Sequence, residues 1–338
     1  MVTAGIIGAS GYTGAELLRL IAGHPDLDLA LATADSKAGA RAAELYPSLT
    51  VAYPDLVLDE FVPGAADGLD VVFLGLPHQA SMALAPQLVG KVGCVVDLSA
   101  AFRLSDPAAY PRWYGFTHDQ PALLASAVYG LPERTRAELK GARLVATPGC
   151  YVTAATLALA PLLDGGLVER RGLIVDAASG VTGAGRAPTA TTHFDTVDEN
   201  FTAYGLLDHR HTPEIEQNLG AEVLFTPHLV PMNRGILATC YARATVQTTT
   251  DELLTALRDA YRDEPFVAVT TTPPSTKATL GANIALVTAR YDERTGSVLV
   301  LCALDNLTKG AAGGAVQSAN IALGLEETAG LPTVGLMP

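Results

Sequence analysis

A glycine-rich turn near the N-terminus constrains the fold of this chain more than any other feature. Gly8, Gly11 and Gly14 form the pattern G-x-x-G-x-x-G. The turn follows an apolar run at 2–8 that predicts a strand, and it precedes residues 15–22, whose apolar spacing predicts a helix. Glycines at such a turn let the backbone approach a dinucleotide pyrophosphate, which the helix N-terminus stabilises. We therefore predict a dinucleotide site; the alternative is a glycine turn without a ligand. The predicted contacts in this turn are Gly8, Ser10, Gly11, Tyr12, Thr13 and Gly14.

Alternating strand and helix patterns in the first half predict a parallel sheet with both faces covered. Its further strands are expected at 27–34, 71–76, 92–98 and 144–147. The second half is richer in strands, which predicts a mixed or antiparallel sheet with a hairpin turn at 291–296. Helices are expected at 251–262 and 309–323. Since 338 residues suffice for two domains, we expect an α/β fold with a Rossmann-type domain and an α+β domain.

The residues after the second predicted strand bear on the choice of cofactor. Asp35 would favour the free 2′-hydroxyl of NAD. Ser36 and Lys37, with Arg41 a turn later, would instead hold the 2′-phosphate of NADP. From these residues alone both cofactors stay open.

Cys150 stands in a setting that favours a reactive thiol. It follows a predicted strand and the turn residues Pro148 and Gly149, and an apolar helix begins at once. A thiol at a helix N-terminus has its pKa lowered toward the nucleophilic thiolate. A nicotinamide cofactor and a thiolate together suit hydride transfer between acyl and aldehyde levels through a thioester. The other cysteines, Cys94, Cys240 and Cys302, lie within apolar runs and predict neither a disulfide framework nor a zinc site.

Acid–base and anion-binding groups can also be picked out. His209 and His211 precede a proline that favours a helix start, and either could protonate a developing oxyanion. Their spacing does not indicate which of the two histidines is the acid–base group. No nearby Cys or carboxylate completes a set of metal ligands with them. Arg103, Arg186 and Arg234 stand beside Gly- or Pro-shaped loops and could bind phosphate or carboxylate. His24 and His118 are expected at the surface.

The charge balance limits the possible partners. Lys and Arg number 22 against 35 Asp and Glu, a net charge of −13 that disfavours nucleic acid and anionic membrane surfaces. The chain shows no apolar stretch of the roughly 18 residues that a membrane-spanning helix needs. Residues 1–12 carry no Lys or Arg of the kind that starts a secretory signal. We therefore expect a cytoplasmic protein that acts on a small molecule.

Further motifs continue along the chain at 76–78, 96–99, 129–133, 147–151, 179–186, 209–215, 226–235 and 305–313. With the glycine turn, they resemble the motifs of the N-acetyl-gamma-glutamyl-phosphate reductases, which are related to the aspartate-semialdehyde dehydrogenases. The resemblance spans nearly the whole length, and the T-P-G-C-Y stretch at 147–151 is its most specific part. Two positions depart from the pattern: Ala101, where an aspartate is common before the Phe-Arg pair, and Gly314, where a glutamine is common. The first removes a possible carboxylate partner of Arg103.

The resemblance implies NADPH-dependent reduction of N-acetyl-L-glutamyl 5-phosphate to the 5-semialdehyde, in arginine biosynthesis, with Cys150 as nucleophile. It favours NADP(H), and so Ser36 and Lys37 over Asp35. It also implies that 1–149 and 310–338 form the NADP-binding domain, with the last helix returning to it, and that 150–309 form the catalytic domain of a homodimer or homotetramer. The substrate contacts it implies are Arg103, Ser179, Arg186, Tyr204 and Arg234, and its further cofactor contacts are Leu76, Pro77, His78, Gly183 and Asn306.

Two alternatives stay open at this point. The same chemistry could act on aspartyl phosphate, or on an aminoadipyl or glutamyl phosphate attached to a carrier protein, although an acidic carrier would need a basic rim. A dinucleotide-binding module without thiol chemistry is the alternative from another class.

Overall fold

The computed structural model describes residues 1–338, and the chain divides into two compact units. The first unit comprises Met1–Pro148 and Ala311–Leu331, and the second comprises Gly149–Gly310 and Pro332–Pro338. The structure differs from the expected division at the C-terminus, where the last seven residues lie with the second unit. The reason is backbone pairing, since the N–H of Asn283 donates to the Pro332 carbonyl at 2.7 Å and that of Leu336 to the Leu280 carbonyl at 2.8 Å.

The first unit is built on a parallel sheet of seven strands, as the alternating pattern predicts. Its strands are β1 (Val2–Ile7), β2 (Leu27–Ala34), β3 (Asp59–Glu60), β4 (Val71–Leu74), β5 (Cys94–Asp97), β6 (Val128–Tyr129) and β7 (Leu144–Ala146). Its first six helices are α1 (Tyr12–Ala22), α2 (Ala42–Leu45), α3 (His78–Leu88), α4 (Tyr110–Tyr114), α5 (Pro121–Ser126) and α6 (Pro132–Leu139). The strand order β3-β2-β1-β4-β5-β7-β6 places β1 between β2 and β4, where the order reverses and ligands bind in open α/β sheets.

The second unit contains a mixed sheet of seven strands in the order β12-β13-β14-β11-β8-β10-β9. The strands are β8 (Leu173–Ser179), β9 (Thr202–Ala203), β10 (Val223–Leu229), β11 (Ile236–Arg243), β12 (Val267–Val269), β13 (Ala285–Asp292) and β14 (Ser297–Leu304). The helices of this unit are α7 (Cys150–Asp164), α8 (Phe194–Val197), α9 (Thr212–Leu219) and α10 (Thr250–Ala260). The predicted hairpin is confirmed, because β13 and β14 pair antiparallel from Asp292 opposite Ser297.

Helix α7 lies in the core of the second unit. Twelve of its residues are buried, and it is apolar around most of its circumference, as a helix covered on all sides must be. It packs against β11, β13 and β14 of the sheet and against α9 and α10, which themselves contact this sheet. This burial fixes the N-terminus of α7, and with it the position of Cys150.

The last helix, α11 (Gly313–Leu323), belongs to the first unit, where it packs against α1, α6 and β5. It begins later than the predicted residue 309, because Thr308–Ala312 form a π-helical turn. The expected surface positions of His24 and His118 are wrong, since both side chains are buried. His24 Nε2 lies 3.1 Å from Asn320 Oδ1 on α11, and His118 Nε2 lies 2.8 Å from the Ala101 carbonyl.

Candidate active site

Cys150 is the first residue of α7, with Gly149 as the N-cap. Its side chain is partly accessible, whereas the side chains of Cys94, Cys240 and Cys302 are buried. Burial raises the pKa of Cys94 to about 12 and raises the pKa of Cys240 further still, so these thiols stay protonated and inert. Cys150 is therefore the cysteine whose position suits nucleophilic chemistry.

Two glycines allow other groups to approach this thiol closely. A Cβ at Gly149 would lie 2.5 Å from His211 Nε2, and a Cβ at Gly310 would lie 2.8 Å from the Cβ of Cys150. Both distances are shorter than ordinary contacts, so a side chain at either glycine would displace its neighbour. Gly310 lies in the π-helical turn before α11, and such turns are frequent at functional sites. The local backbone is thus shaped around Cys150 and the His211 ring.

The two histidines have different environments, which their spacing alone did not reveal. The buried His211 ring lies over Gly149, the residue that precedes Cys150. The His209 ring packs against that of His211, with centroids 4.8 Å apart, and its Nδ1 accepts the backbone N–H of His211 at 3.1 Å. Burial and the neighbouring Arg210 lower the pKa of His209 to about 4, so its ring is neutral at pH 7 with the proton on Nε2.

Glu214 is a residue of the site that the sequence analysis missed. Its side chain is fully buried, and Oε1 accepts the backbone N–H of Gly149 at 2.9 Å. Glu214 lies in the first turn of α9, three residues after His211, so one short segment supplies both side chains that contact Gly149. The H-x-x-E spacing at the start of a predicted helix was the signal available, because residues three apart share a helix face.

An aromatic group completes this part of the site. The hydroxyl oxygens of Tyr151 and Tyr204 lie 3.1 Å apart, and the Tyr151 ring contacts the rings of both His209 and His211 edge-on. Burial raises the pKa of Tyr204 to about 12 and raises that of Tyr151 further, although the Ser179 hydroxyl near Tyr151 partly offsets the latter. Both tyrosines are therefore neutral phenols at physiological pH. The structure brings Tyr204 and Ser179, two of the predicted substrate contacts, into one group around Tyr151.

The three predicted arginines lie in different settings. Arg234 pairs with the buried Asp305, and Arg186 lies partly buried at the end of the loop that follows β8. Arg103 belongs to the first unit, where Nε donates to the Thr147 carbonyl at 2.6 Å and Nη2 to the Leu98 carbonyl at 2.9 Å. Two backbone carbonyls thus orient Arg103, which does not need the carboxylate that Ala101 replaces.

The glycine turn of the first unit fits a dinucleotide. Gly8 has φ +95°, and a Cβ there would lie 2.4 Å from the Gly75 carbonyl oxygen. A Cβ at Gly14 would lie 2.6 Å from the Gly8 carbonyl oxygen, so α1 sits directly on the turn. Gly11 is the N-cap of α1, with no side-chain cap and no acidic residue in the first turn. No carboxylate of the first turn therefore competes for the helix amides, which are suited to donate to a pyrophosphate.

The other predicted cofactor contacts lie in both units. Leu76 and Pro77 end the segment after β4, and His78 begins α3, with its Nδ1 accepting the Ala100 N–H at 3.0 Å. Ser36 and Lys37 are exposed in the loop after β2. In the second unit, Asn306 bridges two loops, with Oδ1 accepting from Gly235 N–H at 2.7 Å and Nδ2 donating to Thr182 Oγ1 at 3.0 Å, and Gly183 follows in the same loop.

Side chains that could hold a metal do not gather anywhere in the chain: three or more His, Cys, Asp or Glu residues nowhere form such a group. None of the helices combines the length and apolarity needed to cross a membrane.

Two family models match the chain. Residues 3–142 match the NAD binding domain of semialdehyde dehydrogenase, and residues 150–306 match the semialdehyde dehydrogenase dimerisation domain. An N-acetyl-gamma-glutamyl-phosphate reductase of Symbiobacterium thermophilum is 49% identical over 343 residues, covering 99% of this chain and 98% of the relative. Another, of Desulforudis audaxviator, is 49% identical over 347 residues and covers both chains in full. The chain belongs to the N-acetyl-gamma-glutamyl-phosphate reductase family. The resemblance seen in the sequence motifs is thereby confirmed.

Solved structures show that the fold of this reductase family member is shared with aspartate semialdehyde dehydrogenases. The enzyme II of Vibrio cholerae, complexed with ASA, has a TM-score of 0.69 at 17% identity and covers 95% of this chain and 98% of its own. The Candida albicans enzyme with NADP has a TM-score of 0.69 at 16% identity and covers 96% and 99%. The predicted combination of a parallel-sheet domain and a mixed-sheet domain is confirmed.

Proposed function

We propose that this reductase catalyses the NADPH-dependent reduction of N-acetyl-L-glutamyl 5-phosphate to N-acetyl-L-glutamate 5-semialdehyde and phosphate, in arginine biosynthesis. The observation that carries the proposal is Cys150 at the start of α7, directly after Gly149, over which the His211 ring lies. It stands in a chain 49% identical to relatives that bear the name of this reductase. The enzyme is thus a phosphorylating semialdehyde dehydrogenase working in the reductive direction.

The first half-reaction forms a thioester. His211 takes the proton of Cys150, and the thiolate sulfur attacks the acyl carbon. The tetrahedral intermediate collapses when the bond between that carbon and the phosphate oxygen breaks, and the phosphate leaves with the bonding electron pair. No electrons are gained or lost in this half, because one acyl derivative replaces another.

The second half-reaction reduces the thioester to the aldehyde. NADPH, held by the first unit, would supply a hydride for the thioester carbonyl carbon, which leaves an oxyanion on the former carbonyl oxygen. His211 returns its proton to the oxyanion that forms, and it then accepts the hydroxyl proton as the carbon–sulfur bond breaks. The aldehyde leaves and Cys150 is again a thiolate.

His211 suits this role better than His209. The His211 ring lies over the residue before Cys150, whereas His209 accepts a backbone hydrogen bond and has its pKa lowered to about 4. A general acid with so low a pKa would be deprotonated at pH 7. We propose that His209 orients the segment that carries His211, and that Glu214 holds the Gly149 amide.

We further propose the groups that bind the two ligands. Arg103, Arg186 and Arg234 supply the positive charge for the acyl phosphate and the substrate carboxylate, with Ser179 and Tyr204 as polar contacts. The glycine turn of the first unit, Leu76, Pro77 and His78 would hold the dinucleotide, with Gly183 and Asn306 as further contacts. Ser36 and Lys37 would hold the 2′-phosphate, which makes NADP(H) the expected cofactor over NAD(H).

A homo-oligomer, dimer or tetramer, is part of the proposal. The sheet face opposite α7 carries four large side chains that are paired in register across neighbouring strands. They are Leu224 on β10, Ile174 on β8, Tyr241 on β11 and Leu299 on β14. Leu224 is 49% exposed and Tyr241 is 39% exposed, which is unusual for large side chains in a central sheet. The family model that matches this unit is described as a dimerisation domain. These observations support association of two copies through this face.

The cytoplasm is the proposed location. None of the four cysteines forms a disulfide, and the proposed reaction depends on a reduced thiol. Thiols persist in the reducing cytosol and are oxidised in secretory compartments.

The deciding experiment follows the reaction in the oxidative direction. We would measure phosphate-dependent reduction of NADP⁺ with N-acetyl-L-glutamate 5-semialdehyde, beside aspartate semialdehyde, the unacetylated glutamate semialdehyde and NAD⁺. Cys150→Ser should abolish turnover and keep NADPH binding, while Cys302→Ala, the matched change at a buried cysteine, should keep activity. Equal activity with aspartate semialdehyde would refute the substrate assignment, and turnover by Cys150→Ser would refute the thioester.

A further inference from the structure

Asp305 follows β14 directly and forms the centre of a hydrogen-bond cluster in the second unit. Its side chain is fully buried. Oδ1 accepts the backbone N–H groups of Leu307 at 2.8 Å and Thr308 at 3.1 Å, and Oδ2 accepts that of Gly281 at 2.7 Å. Three amides from two segments of the chain therefore hold this carboxylate in one position.

The same carboxylate holds Arg234. The guanidinium Nε and Nη2 lie 3.1 and 3.0 Å from Asp305 Oδ1, and Nε lies 2.9 Å from Oδ2. Asp305 is inaccessible, whereas 20% of the Arg234 side chain is exposed. The rigid, buried carboxylate of Asp305 thus fixes the orientation of the planar guanidinium, which remains partly accessible.

The segment that carries Arg234 is fixed as well. The neighbouring Asn233 carbonyl accepts Thr182 N–H at 3.1 Å and Thr182 Oγ1 at 2.6 Å. Asn306, next to Asp305, receives the N–H of Gly235, which follows Arg234. The Asp305–Asn306 pair therefore joins the 231–235 loop to the loop after β8 and to the turn before α11. Both the backbone and the side chain of Arg234 are held in place.

We propose that Asp305 is a positioning residue that directs the Arg234 guanidinium toward an oxyanion of the reacting molecules. This inference rests on the proposed function, which gives Arg234 a role in substrate binding. Hydrogen bonding of the carboxylate does not require the arginine, because three amides already donate to it. Holding a long side chain in its binding orientation removes the entropic cost of ordering it when the anion binds. The oxyanion belongs either to phosphate or to the substrate carboxylate.

The oxidative reaction separates these two sources, because inorganic phosphate and the semialdehyde are then different molecules. Asp305→Asn replaces one acceptor oxygen by an NH₂ group that faces a donor, and so it releases the guanidinium. We expect kcat/KM to fall by about tenfold or more for whichever anion Arg234 binds, the usual effect of losing one charge-assisted hydrogen bond. A rise in the KM of phosphate alone identifies the phosphoryl group, and a rise in that of the semialdehyde alone identifies the carboxylate.

A matched control is available in the first unit. Arg136 and Glu327 form a similar two-point pair, with distances of 2.9 and 3.0 Å. Glu327→Gln should lower the melting temperature and leave both KM values unchanged. Asp305→Asn with both KM values within about twofold of wild type, in a folded protein, would overturn the proposal.

Two further variants keep the test decisive. In an Arg234→Lys background, Asp305→Asn should have little additional effect on KM, because a residue that acts through another is silent once the other is changed. Full additivity would refute the proposed coupling. If Asp305→Asn does not fold, the Arg234→Lys variant is measured by itself. Wild-type KM values for phosphate and the semialdehyde in Arg234→Lys would refute the proposal, because they would show that binding needs no oriented guanidinium. Absence of wild-type activity would instead refute the proposed function itself.

Discussion

Gly149→Ala tests the role of His211 without replacing any reacting side chain. The new Cβ would lie 2.5 Å from His211 Nε2, 2.7 Å from Cε1 and 2.8 Å from Cδ2. Ordinary contacts begin at 3.4 Å, so the nearest ring atom must retreat by 0.9 Å. The backbone itself tolerates alanine, because Gly149 has φ −66° and ψ 143°. The substitution therefore displaces the imidazole and leaves the rest of the turn in place.

The expected magnitude follows from that displacement. A misplacement of about 1 Å in a catalytic group costs roughly 100-fold in rate, equivalent to about 2.7 kcal/mol in the activation free energy. We expect kcat in the phosphate-dependent NADP⁺ assay to fall by this factor, with the dissociation constant of NADPH unchanged.

Gly23→Ala is the matched control. Gly23 also lies at a helix end with negative φ, and its nearest neighbour would be 3.9 Å from the new Cβ, so activity should be retained. Wild-type kcat in a folded Gly149→Ala protein would refute the assignment of His211 as the acid–base group. A crystal structure of the variant showing an undisplaced ring would refute the steric reasoning.

Three further predictions concern the surroundings of the Cys150 thiol and the sheet face opposite α7. Glu214→Ala leaves the buried Gly149 amide without its acceptor, so the free energy of unfolding should fall by about 1–3 kcal/mol in urea titrations, and kcat should fall with it. The lowered pKa of His209 means that the unfolded chain binds a proton between about pH 6.5 and 4 that the folded chain excludes. Wild type should therefore lose up to about 3 kcal/mol more stability than His209→Asn as the pH falls through that window. Tyr241→Asp should convert the oligomer to smaller species in light scattering, because a charge would be buried in the proposed interface.

Each of these expectations can fail in a defined way. Unchanged urea stability in Glu214→Ala would show that the Gly149 amide finds another acceptor. Parallel stability curves for wild type and His209→Asn between pH 6.5 and 4 would show that His209 is protonated in the folded state. An unchanged molar mass for Tyr241→Asp, with the fold intact, would place the subunit interface elsewhere.

Local sequence patterns determined the two turns that we propose to hold the cofactor and the reacting thiol. The glycine turn at 8–14 and the Pro-Gly-Cys turn at 148–150 are encoded by adjacent residues, because φ angles, the small size of glycine and apolar periodicity act within a few positions. The parallel sheet, the mixed sheet and the β13–β14 hairpin followed from the same local signals. The choice of Cys150 over three cysteines in apolar runs also needed only neighbouring residues.

Contacts between distant positions could be decided only by the tertiary structure. Gly149 meets Glu214 across 65 positions, and Arg234 meets Asp305 across 71. Such pairs leave no periodicity in the chain, since the geometry that joins them is set by how α9, β11 and β14 pack around α7. The same reason explains the burial of His24, whose partner Asn320 lies 296 positions away. A related reason distinguishes His209 from His211, which are only two positions apart. The packing of α9 against α7 places one imidazole ring over Gly149, and that ring belongs to His211.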